Sequence, residues 1–320
     1  MATATAPVLA PQPFAPAAPT RAPRRLRSLS PQLLLVANGN ASGLSRHPEL
    51  VSDSARLLRA AGARVETLVT TALDELELVL SGADRRVVLL GGDGSLHAAA
   101  NAPGPKPELA LIPGGKANNV ARSLGVPLAL DAAARLAVEG RAYPIDAIAA
   151  RTPTRTYLAV EGVSVGFHAL ARSQYRATNS ADTAAGIRAG LGALVRFEPV
   201  TMAVAIDGSC RLMRLTQLFV VNMPLFGPGL RVAPSADPGD GVLDVVALEG
   251  AGRRSLLPLA ARLRRGTHLA TEGVRSFRAR SVRISTRGAS PVIADTTDLG
   301  SETVELTIVP NALEVVGRAA

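Results

Sequence analysis

Short apolar runs alternate with stretches of helical periodicity between residues 31 and 145 of this 320-residue chain. Runs of four to eight apolar residues are typical of buried strands, and apolar positions spaced three and four apart are typical of amphipathic helices. This alternation predicts an α/β fold with a doubly wound parallel sheet. The predicted strands are LLLVA (33–37), VETLV (65–69), RVVLL (86–90) and ELALI (108–112), and the predicted helices cover 48–61 and 71–81.

The alternation ends near Asp146, and apolar runs separated by turn residues follow. Asp207-Gly208 within VAIDGSCRL is typical of a two-residue hairpin turn. LFVVN, VLDVVAL, SVRIS and TVELTIV read as further strands. We therefore predict an α/β domain over 31–145, an antiparallel, sandwich-like β-rich domain over 146–305, and a cleft between the two.

The composition excludes several classes of protein. Apolar residues make up 47% of the chain and charged residues 19%, so the chain is not disordered throughout. Aromatic residues supply 3%, with no Trp, which argues against an aromatic platform for single-stranded nucleic acid. Cys210 is the single cysteine and cannot form an internal disulfide, which favours a reducing, cytoplasmic location.

The net charge of +9 is concentrated in two places. Residues 1–30 contain four arginines, no acid and six prolines, which predicts a disordered basic tail with no signal peptide. Residues 253–287 contain ten arginines and one acid, Glu272. The tail is either a solvated extension or a lipid tether, and the arginine-rich segment is either a solvated face or a surface that docks on anionic headgroups. Docking would make the protein peripheral to the inner face of the membrane; we predict no nucleic-acid partner.

No run of about 18 apolar residues occurs, so we expect no transmembrane helix. Neither the oligomeric state nor the identity of an apolar ligand follows from the sequence.

A glycine-rich loop, Gly91-Gly92-Asp93-Gly94-Ser95, follows the third predicted strand. Ligands of parallel sheets bind beyond the carboxyl ends of the strands, and glycines allow backbone N–H groups to approach an anion closely. The loop is therefore suited to a phosphate, with Asp93 as a metal ligand, a base or a partner of a sugar hydroxyl. The alternative is a plain strand-to-helix turn in which Asp93 is the N-cap.

A second loop, Pro113-Gly114-Gly115-Lys116-Ala117-Asn118-Asn119, follows the fourth predicted strand. Lys116 offers a point charge for phosphate, and the two asparagines offer polar contacts. The loop is not a Walker A motif, because Ala occupies position 110 and position 117. The first loop is not G-x-G-x-x-G, because His97 stands where the third glycine belongs.

Four segments together resemble the diacylglycerol kinase catalytic-domain family, which includes bacterial lipid kinases and sphingosine kinases and is distantly similar to NAD kinases. LLLVANGNASG resembles the family's first strand and Asn-Pro-x-Ser-Gly turn, with Asn38, Ser42 and Gly43 kept. VVLLGGDGSLHAAANA resembles its Gly-Gly-Asp-Gly-Thr loop, with Asn101 in place. LALIPGGKANNVARSLGVP resembles its third motif, and APSADPGDGVLDVV its Asp-Gly-x-Leu-Asp segment. The resemblance extends over residues 31–320.

The resemblance implies phosphoryl transfer from ATP with Mg²⁺ to the hydroxyl of a lipid such as diacylglycerol, in the cleft between a nucleotide domain and a β-rich domain. It also implies that the final strands, 306–320, return to the first domain. Asp93 would deprotonate the hydroxyl or organise the metal, and Asp240 would help to hold a structural cation. The residues expected to bind the nucleotide are Asn38, Gly91, Gly92, Asp93, Gly94, Ser95, Gly115, Lys116 and Asn118.

Departures from the family pattern affect the acids. Asn119 stands where the third motif has an acid, and Lys116 and Ala117 replace Thr and Gly. The late Asp-Gly-Glu aligns with Asp295-Thr296-Thr297, so only Asp295 is kept, and Asp298 one residue further on is the candidate substitute. A catalytically weakened or inactive protein that binds nucleotide or lipid is therefore the alternative.

Two other activities remain as lower alternatives. Gly162-Val163-Ser164-Val165-Gly166 matches the G-x-S-x-G elbow of serine esterases, with Asp244 and His268 following in the expected order. We favour the alternative, a backbone bend that the glycines permit at the entry to the second domain. NAD kinases share the first glycine loop. His97 and His168 lack sequence neighbours suited to a metal, so we expect them to be packed or solvated.

Overall fold

The computed structural model describes residues 31–39, 41, 43–177, 183–250 and 256–317. The predicted tail (1–30) and the motif residue Ser42 lie outside the described residues. Among the described helices, none combines the length and apolarity needed to cross a membrane.

The first half of the chain forms the predicted parallel sheet. Its strands are β1 (Gln32–Asn38), β2 (Arg64–Thr70), β3 (Val87–Gly91) and β4 (Leu109–Pro113). They lie in the order β2-β1-β3-β4, and all run parallel. The helices of this half are α1 (Glu49–Ala60), α2 (Leu73–Ser81), α3 (Asp93–Asn101), α4 (Asn119–Ser123) and α5 (Leu130–Glu139).

Helices cover both faces of this sheet, which explains why its strands read as continuous apolar runs. Alternate residues of β1 belong to two cores: Leu34 and Val36 pack with α2 and α3, whereas Leu33 and Leu35 pack with α1 and α5. The predicted parallel α/β architecture is confirmed, and each predicted strand lies within one residue of the observed one.

The second half is dominated by antiparallel strands, as predicted. β8 (Val200–Ile206) and β9 (Ser209–Val221) form the expected hairpin, whose turn residues Asp207 and Gly208 have φ angles of 44° and 85°. β9 then pairs with two further strands, and the enclosed core is apolar. The other strands here are β6 (Thr156–Ala159), β7 (Gly162–Gly166), β10 (Leu225–Phe226), β11 (Leu230–Arg231), β12 (Leu243–Glu249), β13 (Val274–Ala279), β14 (Ser281–Ser285), β15 (Val292–Ala294) and β16 (Thr297–Asp298).

Two long strands connect the halves. β5 (Ala142–Arg151) runs through the predicted boundary at 145/146 and pairs with β17 (Val304–Val316) along most of its length. β17 pairs antiparallel with β14, and near its end Val315 pairs with Leu109 of β4 in the parallel sheet. The halves therefore share one continuous sheet rather than being joined by a linker.

Buried Asp146 fixes the crossing of these strands. Its carboxylate accepts hydrogen bonds from the backbone N–H groups of Asn311 (2.9 Å) and Gly241 (2.8 Å). Asn311 has a positive φ of 53°, and the register of β5 with β17 shifts between Val309 and Leu313. The domain limits themselves stay a prediction.

Three helices of the second half were not among the predicted elements. They are α6 (Phe167–Ala177), α7 (Thr183–Arg196) and α8 (Leu256–Arg265), and a short 3-10 turn follows at His268–Ala270. α6 directly follows β7, so the bend at Gly166, whose φ is 108°, leads from a buried strand into a helix.

The arginine-rich segment is partly neutralised by acids from outside it. Arg275 pairs with Glu249 (3.1 Å), Arg283 pairs with Glu305 (3.5 Å), and Arg278 pairs with Asp240. Arg253 and Arg254 lie outside the described residues. The count of ten arginines against one acid therefore overstates the positive charge that the folded segment presents.

Candidate functional site

The first glycine loop leaves the carboxyl end of β3 and enters α3, as predicted. A Cβ atom at Gly91 would lie 2.3 Å from the hydroxyl of Ser95, so any side chain there would displace that hydroxyl. The Nδ2 atom of Asn38, at the end of β1, donates a hydrogen bond to that hydroxyl at 3.3 Å. Gly92 is the N-cap, so the interpretation of Asp93 as N-cap is wrong; Asp93 is the first residue of α3.

The second glycine loop packs directly against the first. Gly114 N–H donates to the carbonyl of Gly91 (2.7 Å), and a Cβ atom at Gly115 would lie 2.5 Å from the Cα atom of Gly92. Because the backbones of Gly92 and Gly115 approach so closely, neither position has room for a side chain.

Asn118 holds the second loop together. Its Oδ1 atom accepts from Gly115 N–H at 2.9 Å and its Nδ2 atom donates to the Gly115 carbonyl at 3.0 Å, while its own φ is 49°. Its amide therefore shapes the loop.

A pocket of about 590 Å³ opens where the two loops, α6 and the segment at Asp295 and Thr296 meet. Two cationic side chains, Lys116 and Arg172, line it together with the carboxylates of Asp93, Glu161 and Asp295. Of the residues expected to bind nucleotide, the pocket lining includes Asn38, Gly92, Asp93, Gly94, Ser95, Gly115 and Lys116, and it does not include Gly91 or Asn118.

Asp93 connects the two loops. Its Oδ1 atom accepts a hydrogen bond from the backbone N–H of Val120 at 2.9 Å, in the helix that follows the second loop. The carboxylate therefore sits on the pocket wall between the glycine loops.

Asp295 is firmly anchored in the pocket wall. Its carboxylate accepts hydrogen bonds from three consecutive backbone N–H groups, those of Val160 (2.9 Å), Glu161 (2.9 Å) and Gly162 (3.1 Å), and its own φ is 50°. Three such donors stabilise a buried negative charge.

Asp298 lies in a different environment from Asp295. It is a half-buried residue at the end of β16, its Oδ1 atom accepts from Gly300 N–H at 2.9 Å, and it is not among the pocket-lining residues. The structure therefore does not bring the candidate substitute acid to the site.

A carboxylate that the sequence analysis missed, Glu161, lines the pocket instead. Only 4% of Glu161 is exposed, and its Oε2 atom accepts a hydrogen bond at 2.8 Å from Nδ2 of Asn119. The family pattern has an acid at the position of Asn119. In this chain, Glu161 supplies a carboxylate that contacts this position from another part of the fold. The available signal was a single acid inside the apolar run 157–167.

His97 is packed in the interior, which is one of the two environments expected for it, but it has carboxylate neighbours. Its Nε2 atom lies 3.0 Å from Oε1 of Glu161 and 3.6 Å from Oδ2 of Asp295. Both acids come from distant parts of the chain, so the residues next to His97 in the sequence do not reveal them.

Burial and neighbouring charges shift the pKa values of His97 and Glu161 in opposite directions. Burial by itself lowers the pKa of His97, but the charges of Asp295 and Glu161 outweigh it and raise the pKa above its ordinary value. Burial raises the pKa of Glu161, against the opposing effect of His97.

The side chain of Asn101 attaches α3 to β6 and so positions His97, which lies one turn earlier on the same helix. The Asn101 amide donates to the Leu158 carbonyl (2.9 Å) and accepts from the Leu158 N–H (2.9 Å), so it pairs with β6 as a strand would. Because Leu158 lies three residues before Glu161, this clamp brings His97 alongside Glu161.

The esterase alternative finds no support in the arrangement of its residues. Ser164 is fully buried in β7, and its hydroxyl lies 2.9 Å from Nδ1 of His168. The expected partner His268 instead contacts the carbonyl of Val232 through Nε2 at 2.9 Å.

The predicted structural cation at Asp240 is left untested. Asp240 pairs with Arg278 and accepts from Val242 N–H at 3.0 Å. Within the part of the chain that the structure describes, the residues brought together with metal-ligand spacing are His97, Glu161 and Asp295.

Comparison with known proteins gives matches over both halves. Residues 32–150 match the diacylglycerol kinase catalytic domain, and residues 161–317 match the YegS C-terminal NAD kinase beta sandwich-like domain. A protein of Mycobacterium tuberculosis named diacylglycerol kinase is 30% identical over 251 residues, which cover 74% of this chain and 78% of that protein. A probable lipid kinase YegS-like of Shewanella frigidimarina is 30% identical over 51% of this chain and 54% of its own length.

A solved structure has the same fold. The crystal structure of a diacylglycerol kinase from Bacillus anthracis superposes with a TM-score of 0.66 at 18% identity, and the match covers 90% of this chain and 97% of that one. At this identity the likeness concerns the fold alone.

Proposed function

Because this chain belongs to the diacylglycerol kinase catalytic-domain family, we propose that it is an ATP-dependent lipid kinase that transfers the γ-phosphoryl group to a lipid hydroxyl. The proposed reaction site is the pocket between the glycine loops, α6 and Asp295. The lipid itself is not specified by the site residues, and diacylglycerol is the first candidate because the Mycobacterium tuberculosis relative carries that name.

The contact between the two glycine loops is the observation that carries this proposal. Bare backbone at Gly92 and Gly115, with Lys116 beside it, is the arrangement that binds phosphate groups through N–H donors and a point charge. The α3 N-terminus faces the same loop and adds a partial positive charge.

Asp93 is the residue to which we assign the acid–base or metal-organising role. In the reaction, the lipid oxygen forms a bond to the γ-phosphorus, the bond from that phosphorus to ADP breaks, and the hydroxyl proton moves to a carboxylate. Asp93 has one backbone donor, whereas the two oxygens of Asp295 accept from three, so the Asp93 carboxylate is less committed to the protein backbone. Mg²⁺ bound with ATP would neutralise phosphate charge, and the Asp93 carboxylate suits this ion because Mg²⁺ prefers oxygen ligands.

We also propose that residues 31–145, with the end of β17, bind the nucleotide and that residues 146–305 bind the lipid. The pairing of Val315 with Leu109 supports the assignment of the chain's last strand to the first domain. α6, which brings Arg172 and Tyr175 to the pocket, belongs to the lipid side in this division.

Labelled ATP, offered with vesicles of diacylglycerol and other lipid alcohols and separately with NAD, tests the proposal. We expect a labelled phospholipid, reduced at least 100-fold by Asp93→Asn and unchanged by Asp53→Asn, which alters an exposed aspartate of α1 paired with Arg56. ATP binding without any labelled lipid would instead favour the inactive, ligand-binding alternative, and labelled NADP would favour NAD kinase activity.

Docking on anionic membranes is a separate proposal. α8 presents exposed Arg264 and Arg265 beside Leu257, of which 67% is exposed. Such charges contribute about 1 kcal/mol each near an anionic surface. We expect R264E/R265E to lower co-sedimentation with anionic vesicles, and R56E on α1 to have little effect. Binding that is insensitive to anionic lipid content and to salt would contradict docking.

A further inference from the structure

The buried cluster of His97, Glu161 and Asp295 contains more negative charge than its own cation can balance. The exposed fractions are 3%, 4% and 6%, so water does not screen the two carboxylates. With both carboxylates ionised, the three side chains carry a net charge of −1 when His97 is protonated and −2 when His97 is neutral. An uncompensated buried charge is costly unless hydrogen bonds or a cation offset it.

Neither ring nitrogen of His97 has a hydrogen-bond partner among the described residues. Nε2 lies 3.0 Å from Oε1 of Glu161, but the two groups are not aligned as donor and acceptor. A buried imidazole of this kind is unusual, since buried polar atoms nearly always have a partner. Nε2 therefore lies at ion-pair distance from the carboxylates without forming a hydrogen bond to either.

The spacing of the three ligand atoms fits an ion placed between them. One atom from each residue lies within 4.8 Å of the others, and Nε2 is 3.0 and 3.6 Å from the two nearest carboxylate oxygens. Ligands about 2.1 Å from a shared metal ion lie roughly 3.0–3.4 Å from one another in octahedral or tetrahedral geometry.

From the unpartnered imidazole, the charge balance and the spacing, we propose that His97, Glu161 and Asp295 bind a divalent first-row transition-metal ion such as Mn²⁺ or Zn²⁺ in preference to Mg²⁺. Binding releases the His97 proton to solvent, and a divalent ion with neutral His97 and two ionised carboxylates brings the net charge of the cluster to zero. Imidazole nitrogen is a ligand for transition ions, whereas Mg²⁺ binds oxygen almost exclusively.

The surroundings of the ligands favour a site with an open position. Asp295 is fixed by its three backbone donors and Glu161 by Asn119, which are the outer hydrogen bonds that orient metal ligands. Glu161 and Asp295 line the pocket, so an ion can enter from it and keep a coordination position toward it. This inference concerns ion binding alone and does not require that the protein be an active kinase.

The test uses the full chain, stripped with a chelator and free of nucleotide, titrated with MnCl₂, ZnCl₂ or MgCl₂ in a calorimeter. We expect one Mn²⁺ or Zn²⁺ per chain, with a Kd at least tenfold below that for Mg²⁺. Glu161→Gln, which preserves the shape and an acceptor for Asn119, is expected to weaken binding at least tenfold. His47→Gln is the matched control, because His47 and Glu49 form an exposed pair with the same 3.0 Å separation.

Pulsed electron paramagnetic resonance of the Mn²⁺ complex identifies the nitrogen ligand directly. We expect a ¹⁴N modulation from coordinated imidazole in the wild-type protein and its loss in His97→Gln. If either variant is poorly folded by circular dichroism, the wild-type ¹⁴N signal alone decides the matter. The proposal is overturned if Mn²⁺ and Zn²⁺ do not bind stoichiometrically, if Mg²⁺ binds equally well, or if the wild-type complex has no nitrogen coupling.

Discussion

The Nδ2 atom of Asn119 donates a hydrogen bond to Oε2 of Glu161 across 2.8 Å, which links the helix after the second glycine loop to the residue before β7. The same Nδ2 atom donates to the Gly227 carbonyl at 2.7 Å. Asn119 therefore donates to both a carboxylate and a carbonyl. In the pair that it forms with Glu161, Asn119 is the neutral residue and Glu161 is the acid.

Exchanging the two roles tests this relationship. Asn119→Asp places two buried carboxylates in contact and is expected to lower the free energy of unfolding by about 2–4 kcal/mol at neutral pH. Adding Glu161→Gln supplies an amide donor to the new aspartate, so the double variant is expected to regain about 1–3 kcal/mol relative to additive single effects. Recovery is partial, because the Gly227 carbonyl still lacks its donor. Urea unfolding in a chelating buffer measures all four proteins, and strictly additive costs would contradict the pairing.

The contact between the glycine loops leads to a second prediction. Gly115→Ala places a Cβ atom 2.5 Å from the Cα atom of Gly92 and is expected to cost about 2–3 kcal/mol of unfolding free energy. Gly94→Ala in the same pocket meets no atom within 4 Å and lies within α3, so helix propensity should make it neutral or stabilising by up to about 1 kcal/mol. Urea denaturation of both variants without nucleotide checks the prediction; equal costs would show that the loops do not touch.

Strand ends and glycine loops could be predicted from the sequence because both are local signals. RVVLL and ELALI alternate with helical stretches, and the glycines that follow them mark the carboxyl edge of the sheet. The positions of Asp93, Ser95, Gly115 and Lys116 around one pocket follow from that edge.

The cluster around His97 could not be predicted, because its members are far apart in the chain: Glu161 lies 64 residues and Asp295 198 residues after His97. His97 is on α3, Glu161 precedes β7 and Asp295 follows β15. Their proximity depends on β15 pairing with β7 and on the Asn101 clamp. α6 was not predicted either, since the glycines of β7 are interpreted from the sequence as a backbone bend at the entry to the second domain.

Asp295 and Asp298 give a third prediction, which applies to the proposed kinase activity. Asp295→Asn is expected to lower turnover at least tenfold, because the side chain lines the pocket and three backbone donors position it. Asp298→Asn is expected to leave turnover within about twofold, since its carboxylate bonds to Gly300 N–H at the end of β16 and does not line the pocket. Initial rates with labelled ATP and lipid vesicles compare the two, and a larger loss in Asp298→Asn would reverse our assignment of these acids.

The fourth prediction concerns His168, whose ring contacts Ser164 and packs against the rings of Phe219 and Phe226. Burial and, after it, the charge of Arg172 lower the pKa of His168 to about 4. The unfolded chain therefore binds a proton between pH 6.5 and about 4 that the folded chain does not, so this group's contribution to stability is complete above pH 6.5 and is lost as the pH falls toward 4. Its size is at most about 3 kcal/mol, less to the extent that the partly exposed ring keeps water.

His168→Asn removes the titrating group while keeping a polar atom near Ser164, so its stability should fall less steeply than that of the wild-type protein between pH 6.5 and 4.5. The comparison of slopes matters rather than absolute stability, because the smaller side chain also leaves a gap. Urea unfolding at several pH values gives the slopes, and His47→Gln, at an exposed histidine, is expected to keep the wild-type slope. An NMR titration that places the His168 ring near pKa 6.5, or identical slopes in His168→Asn and the wild-type protein, would contradict the prediction.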